Sequence, residues 1–244
     1  MNMLGIARAN KVVTLELQRP ERRNALNTAV CSGVTAAVRD AERDGARAIV
    51  ITGQGSAFCA GADLGSAAYD RDFIGSLYTM LTTLRETPLP VIAAVNGPAV
   101  GAGVQLALVA DLRVVADSGS FMIPVAKLGF AMDNWTINRL SELAGGSVAR
   151  SMLIGVESID VDRAAQCGLA NRRGDLAAAQ DWAAEIAELA PLSLRHLKLV
   201  FNHMPDSTPT REQQEAHTAA WSSSDVAEAR AARKEGRPPS FRGE

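Results

Sequence analysis

The segment Pro90–Leu106, P-V-I-A-A-V-N-G-P-A-V-G-A-G-V-Q-L, decides the fold class of this chain. Its residues Val91–Val95 are apolar and have the length of a buried β-strand. Turn residues follow in Asn96–Ala99, and the glycines after them lead into an apolar helix predicted over Gly101–Ala110. The 20 residues of Val91–Ala110 carry no charge, but the turn residues in their middle argue against a membrane span. We therefore predict a buried strand, a loop and a buried helix.

The same alternation continues on both sides of this segment. Apolar and β-branched runs predict three more strands, at Val12–Gln18, Ala48–Thr52 and Leu112–Ala116. Helical spacing of apolar residues predicts helices at Thr28–Asp44 and Phe73–Glu86. Strands that alternate with helices favour an α/β fold built from βαβ units.

After about residue 133 the predicted elements are all helical. The predicted helices are Asn134–Leu143, Arg163–Cys167, Leu176–Leu189, Leu192–Asn202 and Thr210–Lys234. We expect Gly145 and Gly146 to close the first of them. We therefore divide the chain into a core, residues 1–190, and a C-terminal helical region, residues 191–244.

The composition excludes several classes of protein. The 244 residues include 25 Lys and Arg against 27 Asp and Glu, and 47% are hydrophobic, as in an ordinary globular protein. A net charge of −2 gives no general attraction to nucleic acid or to an anionic membrane. The cysteines Cys31, Cys59 and Cys167 are too few and too widely spaced for a disulfide framework or a zinc site. With no secretory signal visible at the N-terminus, we expect a cytoplasmic protein.

Two loops rich in small residues are the best candidates for a binding site. They are Ala57–Leu64, A-F-C-A-G-A-D-L, and Asn96–Leu106, and each follows a predicted buried strand. Small residues let a ligand approach the backbone, so N–H groups from both loops can converge on one carbonyl oxygen as an oxyanion hole. The alternative is that small residues serve only the close packing of tight turns. Neither loop has the spacing of a phosphate-binding or dinucleotide-binding motif.

Whole strings along the chain resemble the enoyl-CoA hydratase/isomerase family, also called crotonases. The matching strings are R-P-E-R-R-N-A-L-N at Arg19–Asn27, I-T-G-Q-G-S-A-F-C-A-G-A-D-L at Ile51–Leu64, P-V-I-A-A-V-N-G-P-A-V-G-A-G at Pro90–Gly103, D-L-R-V-V-A-D at Asp111–Asp117, G-L-A-N-R at Gly168–Arg172 and R-P-P-S-F at Arg237–Phe241. The resemblance implies the crotonase (ClpP-like) α/β spiral of ββα units. It also implies a C-terminal helical region that packs on the core and on a neighbouring subunit, in homotrimers that often pair into hexamers.

The resemblance further implies a coenzyme A thioester as the ligand, in fatty acid metabolism, with no permanently bound cofactor. The N–H groups of Ala62 and Ala102 would hold the thioester oxygen. Hydratases of this family use two glutamates as acid and base, and the matching positions here are Gln105 and Val125. Gln105 can orient a group but cannot take a proton at neutral pH, and Val125 can do neither. We therefore predict that hydratase chemistry is lost.

Asp133 is the nearest later carboxylate. Crotonases that cleave halogen from an aromatic thioester are similar in placing an aspartate nucleophile at this point. The alternative is that Asp133 is the N-cap of the helix that begins at Asn134. The apolar Phe130 and Met132, with Val125, fit an acyl channel, and Trp135 lies nearby in the sequence. Cys59, inside the first loop, is interpreted as a buried small residue and not as a nucleophile.

The resemblance also indicates residues for the coenzyme A moiety. The predicted contacts are Arg22, Arg23, Ala25, Ala60, Asp63 and Leu64. Guanidinium groups suit phosphates, although solvated surface charge is the alternative for both arginines. Many family members carry a C-terminal lysine on the phosphate, and that position is Gly236 here, with Lys234 and Arg237 close by.

Two functions follow from these observations. The first is a fatty acyl-CoA-binding protein that resembles the non-catalytic members of the family. The second is an active enzyme, either a weak enoyl-CoA hydratase or an isomerase or hydrolase that uses Asp133. A structural or nucleic-acid-binding role is disfavoured by the balanced charge and by the two loops.

Overall fold

The computed structural model describes residues 3–63, 71–128, 131–202 and 211–244. The strands are Leu4–Ala9 (β1), Val12–Leu17 (β2), Ala48–Gly53 (β3), Val91–Val95 (β4), Pro98–Val100 (β5), Leu112–Val115 (β6), Ser120–Met122 (β7), Ile159–Asp160 (β8) and Arg172–Arg173 (β9). The helices are Thr28–Arg43 (α1), Arg71–Glu86 (α2), Ala102–Val109 (α3), Val125–Leu128 (α4), Asn134–Ala144 (α5), Gly146–Leu153 (α6), Val161–Cys167 (α7), Leu176–Ala187 (α8), Pro191–Asn202 (α9), Arg211–Ser222 (α10) and Ser224–Glu235 (α11).

The larger sheet has six strands in the order β1-β2-β3-β4-β6-β9. Only β1 is antiparallel to its neighbour, and the register places Ile51 of β3 opposite Ala93 of β4. Every residue of β3 and β4 is buried, which is why both read as unbroken apolar runs. Because β3 and β4 are parallel neighbours, the two loops that follow them leave the same edge of the sheet side by side.

The smaller sheet corrects the prediction for the segment after β4. Asn96–Ala99 was expected to be a loop, but Pro98–Val100 forms β5, which pairs with β7 and through it with β8. Strands of two or three residues carry no periodic pattern, so β5, β7, β8 and β9 were not predicted. The isolated bridge between Cys59 and Ala99 joins this small sheet to the loop after β3.

The helical region differs from its prediction at two points. Gly145, at φ +83°, ends α5 as expected, but α6 begins at once at Gly146 and was not predicted. The single helix expected over Thr210–Lys234 is two helices, because Ser223 adopts an extended backbone between α10 and α11. Serine favours helix boundaries over helix interiors. Within the described ranges, no helix is long and apolar enough to cross a bilayer, and Val91–Ala110 is divided among β4, β5 and α3.

The helix α9 is attached to the core through a buried ammonium group. Lys198 is 6% exposed, and its Nζ donates hydrogen bonds to Leu84 O (3.2 Å), Leu89 O (2.9 Å) and Asp111 Oδ2 (2.8 Å). Desolvation by burial lowers the pKa of Lys198, and the charge of Asp111 opposes that shift. All three donors of the ammonium are therefore used within the protein.

Candidate functional site

The two loops predicted to form the site are joined by backbone hydrogen bonds. The N–H of Cys59 donates to Pro98 O (3.2 Å), and the N–H of Val100 donates to Cys59 O (2.9 Å). A side chain at Gly61, where φ is +92°, would come within 2.6 Å of Val100 O, and one at Gly103 would overlap Cys59 O. Close packing therefore accounts for these two glycines, and it brings the loops into contact.

Ala62 and Ala102, whose N–H groups are the predicted donors, both line the cavity beside these loops. Leu26 pairs with the residues on either side of Ala62: its N–H donates to Gly61 O, and its carbonyl oxygen accepts from Asp63 N. The N–H of Ala62 therefore points away from Leu26. Ala102 is the first residue of α3, at the positive end of the helix dipole. Neither N–H donates to an acceptor among the residues that the structure describes. Both residues line one cavity and leave two donors available.

This cavity has a volume of about 400 Å³ and is mainly apolar. Its apolar side chains come from α2, α4 and the segment before α5: Phe73, Ile74, Leu77, Val125, Leu128 and Met132. Two residues predicted for the site, Leu64 and Phe130, lie outside the described residues. Trp135 does not line the cavity, and its ring packs instead under the guanidinium of Arg85, 5.9 Å from the ring centroid.

The polar wall of the cavity is a hydrogen-bond network around Gln105. Gln105 lies on the fully buried α3, and its Nε2 donates to Asp133 Oδ2 (2.8 Å) and to Thr136 Oγ1 (3.0 Å). Asp133 is the N-cap of α5, because its Oδ1 accepts from Thr136 N (2.9 Å), while its Oδ2 accepts from Thr136 Oγ1 (2.7 Å). The capping interpretation of Asp133 is thus confirmed, and the same carboxylate also holds Gln105.

Sequence reasoning missed two members of this wall, Tyr78 and Thr136. Thr136 is buried and follows the N-cap by three residues, a spacing that could have been recognised from the sequence. Tyr78 lines the cavity from α2, and partial burial together with the neighbouring charge of Asp133 raises the pKa of its hydroxyl. Nothing local to the sequence links Tyr78 to Asp133, because the two lie on different elements.

The residues predicted for the coenzyme A moiety lie around the first loop. Asp63 forms an ion pair with Arg19 (2.8 Å), and these side chains are only 15% and 13% exposed. Arg19 also donates to Ala25 O (2.6 Å), so the carboxylate of Asp63 supports the loop from within. Arg22 and Arg23 are exposed, and neither forms an ion pair with a described residue.

A backbone hydrogen bond joins Arg23 to a residue that lines the cavity. The N–H of Ala60, which lines the cavity, donates to Arg23 O (2.9 Å). At the other end of the chain, Gly236 ends α11 in the left-handed region, and Arg237 beyond it donates to both carboxylate oxygens of Glu228 (2.6 and 3.0 Å). Lys234 is exposed. Arg237 is therefore already paired, whereas Arg22 and Arg23 have no ion-pair partner in the part of the chain that the structure describes.

The cysteine inside the first loop is suited to packing. Cys59 is fully buried, and desolvation raises the pKa of its thiol to about 12. The thiol therefore stays protonated at neutral pH, and only the thiolate is a good nucleophile.

Comparison with known proteins agrees with this fold. The sequence model described as Enoyl-CoA hydratase/isomerase matches residues 7–244. The probable enoyl-CoA hydratase echA6 of Mycobacterium bovis is 51% identical over 245 residues, which cover 99% of this chain and 100% of the relative. The probable enoyl-CoA hydratase echA6 of Mycobacterium leprae is 48% identical over 248 residues, with 99% and 100% covered.

A solved structure gives the same result for the fold. The enoyl-CoA hydratase/carnithine racemase of Magnetospirillum magneticum superposes with a TM-score of 0.89 at 31% identity, covering 100% of this chain and 97% of that one. The predicted crotonase fold is therefore confirmed. With a family match over nearly its whole length, the chain belongs to the enoyl-CoA hydratase/isomerase family.

Proposed function

We propose that this protein binds fatty acyl-CoA thioesters and has lost the hydration chemistry of its family. The observation that carries the proposal is the contrast between two available N–H donors, on Ala62 and Ala102, and a neighbouring wall without a proton-transfer group at positions 105 and 125. The donors suit the carbonyl oxygen of a thioester. The wall beside them supplies an amide that is already hydrogen-bonded, and an isopropyl group.

The two donors support binding of a thioester because they come from rigid backbone. Both N–H groups are fixed by the pairing of the loops, so little reorganisation is needed when a carbonyl oxygen arrives. The apolar side chains of α2 and α4 give the acyl chain a surface that excludes water. Arg22 and Arg23 are exposed, and the backbone of Arg23 contacts that of Ala60, so both guanidinium groups suit the phosphates of coenzyme A.

Hydration of a double bond needs a base that activates water and an acid that protonates the neighbouring carbon. Gln105 and Val125 can do neither, and each lost partner is worth roughly 10²–10⁴-fold in rate. Asp133 is a carboxylate at the cavity, but its two oxygens already accept hydrogen bonds from Thr136 and Gln105. These bonds hold the carboxylate in a fixed orientation and engage the lone pairs that a base or nucleophile would use.

The second candidate is an active enzyme of the same family that uses Asp133. One observation favours it, because Asp133 lines the cavity that holds the two N–H donors. Replacement of Asp133 by Asn separates the two functions, since an amide retains the N-cap but cannot act as a base or nucleophile. Turnover of a CoA thioester that disappears in this variant would establish the second candidate, and unchanged turnover would exclude it.

The test of the proposed function is one titration of the purified protein with trans-2-dodecenoyl-CoA. Heat of binding gives the affinity, and mass spectrometry of the same sample gives the hydrated product. Saturable binding without product supports the proposal, and product formed at an enzyme-like rate overturns it. Absence of binding also overturns it. Sedimentation velocity on the same preparation tests the expectation that copies assemble as trimers or hexamers.

A further inference from the structure

The first strand of the larger sheet is an open edge. β1 pairs with β2 on one side, and on its other side no described strand follows. The ladder between the two strands is continuous over all six residues of β1, from Leu4 to Ala9. Residues 6–9 are exposed, and Ile6 is 61% exposed. An edge strand of this length presents a row of backbone groups that can pair with a further strand.

One hydrogen bond shows which backbone groups face this open edge. The N–H of Gln18 donates to Met3 O (2.9 Å), and the β1–β2 register places these two residues opposite each other. Hydrogen-bonded and non-hydrogen-bonded pairs alternate along an antiparallel ladder. Every second residue from Met3 onward therefore bonds to β2, and the residues between them direct both the N–H and the carbonyl group outward. The outward-facing residues are Leu4, Ile6 and Arg8.

The features that commonly protect an edge strand from pairing are missing from β1. The strand contains no proline, and its ladder with β2 has no bulge. Arg8 is its only charged residue, and the guanidinium is bound to its own chain, through Nη2 to Asp44 O (2.6 Å) and Nε to Asn10 O (3.4 Å). Ile6 lies on the same face of the sheet as the buried Leu4, yet nothing in the described chain covers it. The edge is therefore open to another strand and carries an exposed apolar side chain.

We propose that two copies of this chain pair in antiparallel fashion along β1, about a twofold axis at Ile6. A second copy is the occupant because the strand is self-complementary about this residue. Ile6 stands opposite Ile6 of the second copy, and Leu4 stands opposite Arg8, so the outward-facing residues meet only one another. The pairs form about six hydrogen bonds, two for each pair, and join the two large sheets into one. The two Ile6 side chains cover each other as a cross-strand pair.

Charge and side-chain size permit this contact. The two Arg8 residues are four strand positions apart, about 14 Å, so like charges do not meet. Gly5 and Ala7 stand opposite each other on the other face, where small side chains leave room. The contact lies on the N-terminal strand, away from the C-terminal helical region that the family resemblance assigns to a neighbouring subunit. The inference does not depend on the proposed thioester binding.

Disulfide trapping tests the register of the pairing. Ile6→Cys places two thiols on residues whose Cα atoms are expected about 5.5 Å apart, within the range of a disulfide. Ala7→Cys is the matched control, because its Cα atoms would be about 8 Å apart and cannot be bridged without backbone movement. The native cysteines are common to both variants. After oxidation with copper phenanthroline, non-reducing electrophoresis should show linked dimer for Ile6→Cys and little for Ala7→Cys. Equal yields would indicate random collision and would overturn the proposal.

The mass of the assembly gives a second, independent measurement. Ile6→Lys places two ammonium groups against each other at the axis, so sedimentation velocity should show an assembly of half the wild-type mass. Ile154→Lys, at a residue that is 77% exposed and outside β1, is the control and should keep the wild-type mass. Far-ultraviolet circular dichroism checks that both variants are folded. A wild-type mass for folded Ile6→Lys would contradict the pairing, whatever the outcome of the thioester titration.

Discussion

Two buried polar clusters lie at different places in this protein, and one is closed while the other is open. At Lys198 every donor of the ammonium has a protein acceptor, and the ion pair with Asp111 joins α9 to the core. At Gln105 both donors are used, but its acceptor and the N–H groups of Ala62 and Ala102 have no hydrogen-bond partner among the described residues. Buried polar groups are nearly always paired in folded proteins. The unpaired groups therefore support the proposed binding site, and the fully paired cluster is expected to act as an anchor.

The largest effect is expected from breaking the closed cluster. Lys198→Met leaves the Asp111 carboxylate without its counter-ion and two carbonyl oxygens without their donor, so the free energy of unfolding should fall by about 3–5 kcal/mol. Urea denaturation measures this change. Lys11→Met is the matched control, because the Lys11–Glu188 pair is exposed and should contribute about 1 kcal/mol or less. Similar losses in the two variants would show that Lys198 is not an anchor.

A smaller loss is expected when the open cluster loses its carboxylate. Asp133→Ala removes the N-cap of α5 and the acceptor for Gln105, so we expect a loss of about 2 kcal/mol in the free energy of unfolding. Asp175→Ala removes only an N-cap, that of α8, and should cost about 1 kcal/mol. Chemical denaturation of both variants gives the difference between the two losses, which measures how much the contact of Asp133 with Gln105 stabilises the fold. Equal losses would mean that this contact contributes no stability.

The predicted role of the Ala62 and Ala102 N–H groups can be tested by changing the ligand instead of the protein. S-dodecyl-CoA lacks the carbonyl oxygen of dodecanoyl-CoA, so it cannot accept from Ala62 or Ala102. We expect it to bind about tenfold more weakly, which corresponds to one net hydrogen bond of about 1.4 kcal/mol. Calorimetric titration with both compounds measures the ratio. A ratio near one would contradict the assignment of these N–H groups to the thioester oxygen. Because the protein itself is unchanged in this test, misfolding of a variant cannot explain the result.

The smallest effect concerns the charge at the open cluster. The pKa of Tyr78 is raised by partial burial and by the charge of Asp133, and a negative neighbour disfavours the phenolate. Asp133→Asn should therefore lower the pKa of Tyr78 towards its ordinary value. Ultraviolet titration of phenolate absorbance follows this change, and Tyr78→Phe identifies its signal among the two tyrosines. An unchanged pKa would separate Tyr78 from the network.

The sequence predicts best where a pattern is local. Val91–Val95 is found as a strand with its predicted bounds, because an unbroken apolar run of that length has few alternatives. Asp133 is found as an N-cap since capping involves residues three positions apart. Whole-string resemblance predicted the family, and the match to the family model confirms it. That Gln105 and Val125 stand at the positions of the two glutamates stays a prediction from the resemblance.

What the sequence did not predict depends on partners that are distant along the chain. Lys198 meets Asp111 across 87 positions, and Arg19 meets Asp63 across 44, and nothing near any of these residues indicates its partner. Gln105 was predicted to be a departure from the family, but nothing in the sequence gives its orientation, which depends on Asp133, 28 residues away. These contacts follow from the folded arrangement of elements and not from any local pattern.

Asp133 caps α5 and also orients Gln105, and these two roles limit which residues can replace it. An N-cap tolerates serine, threonine, asparagine or aspartate, but only an acceptor without donors keeps the Gln105 amide in its present orientation. Of the four, aspartate alone meets both requirements. Substitution at position 133 is therefore coupled to the residue at position 105, and we expect homologues that recognise other ligands to differ at both positions together.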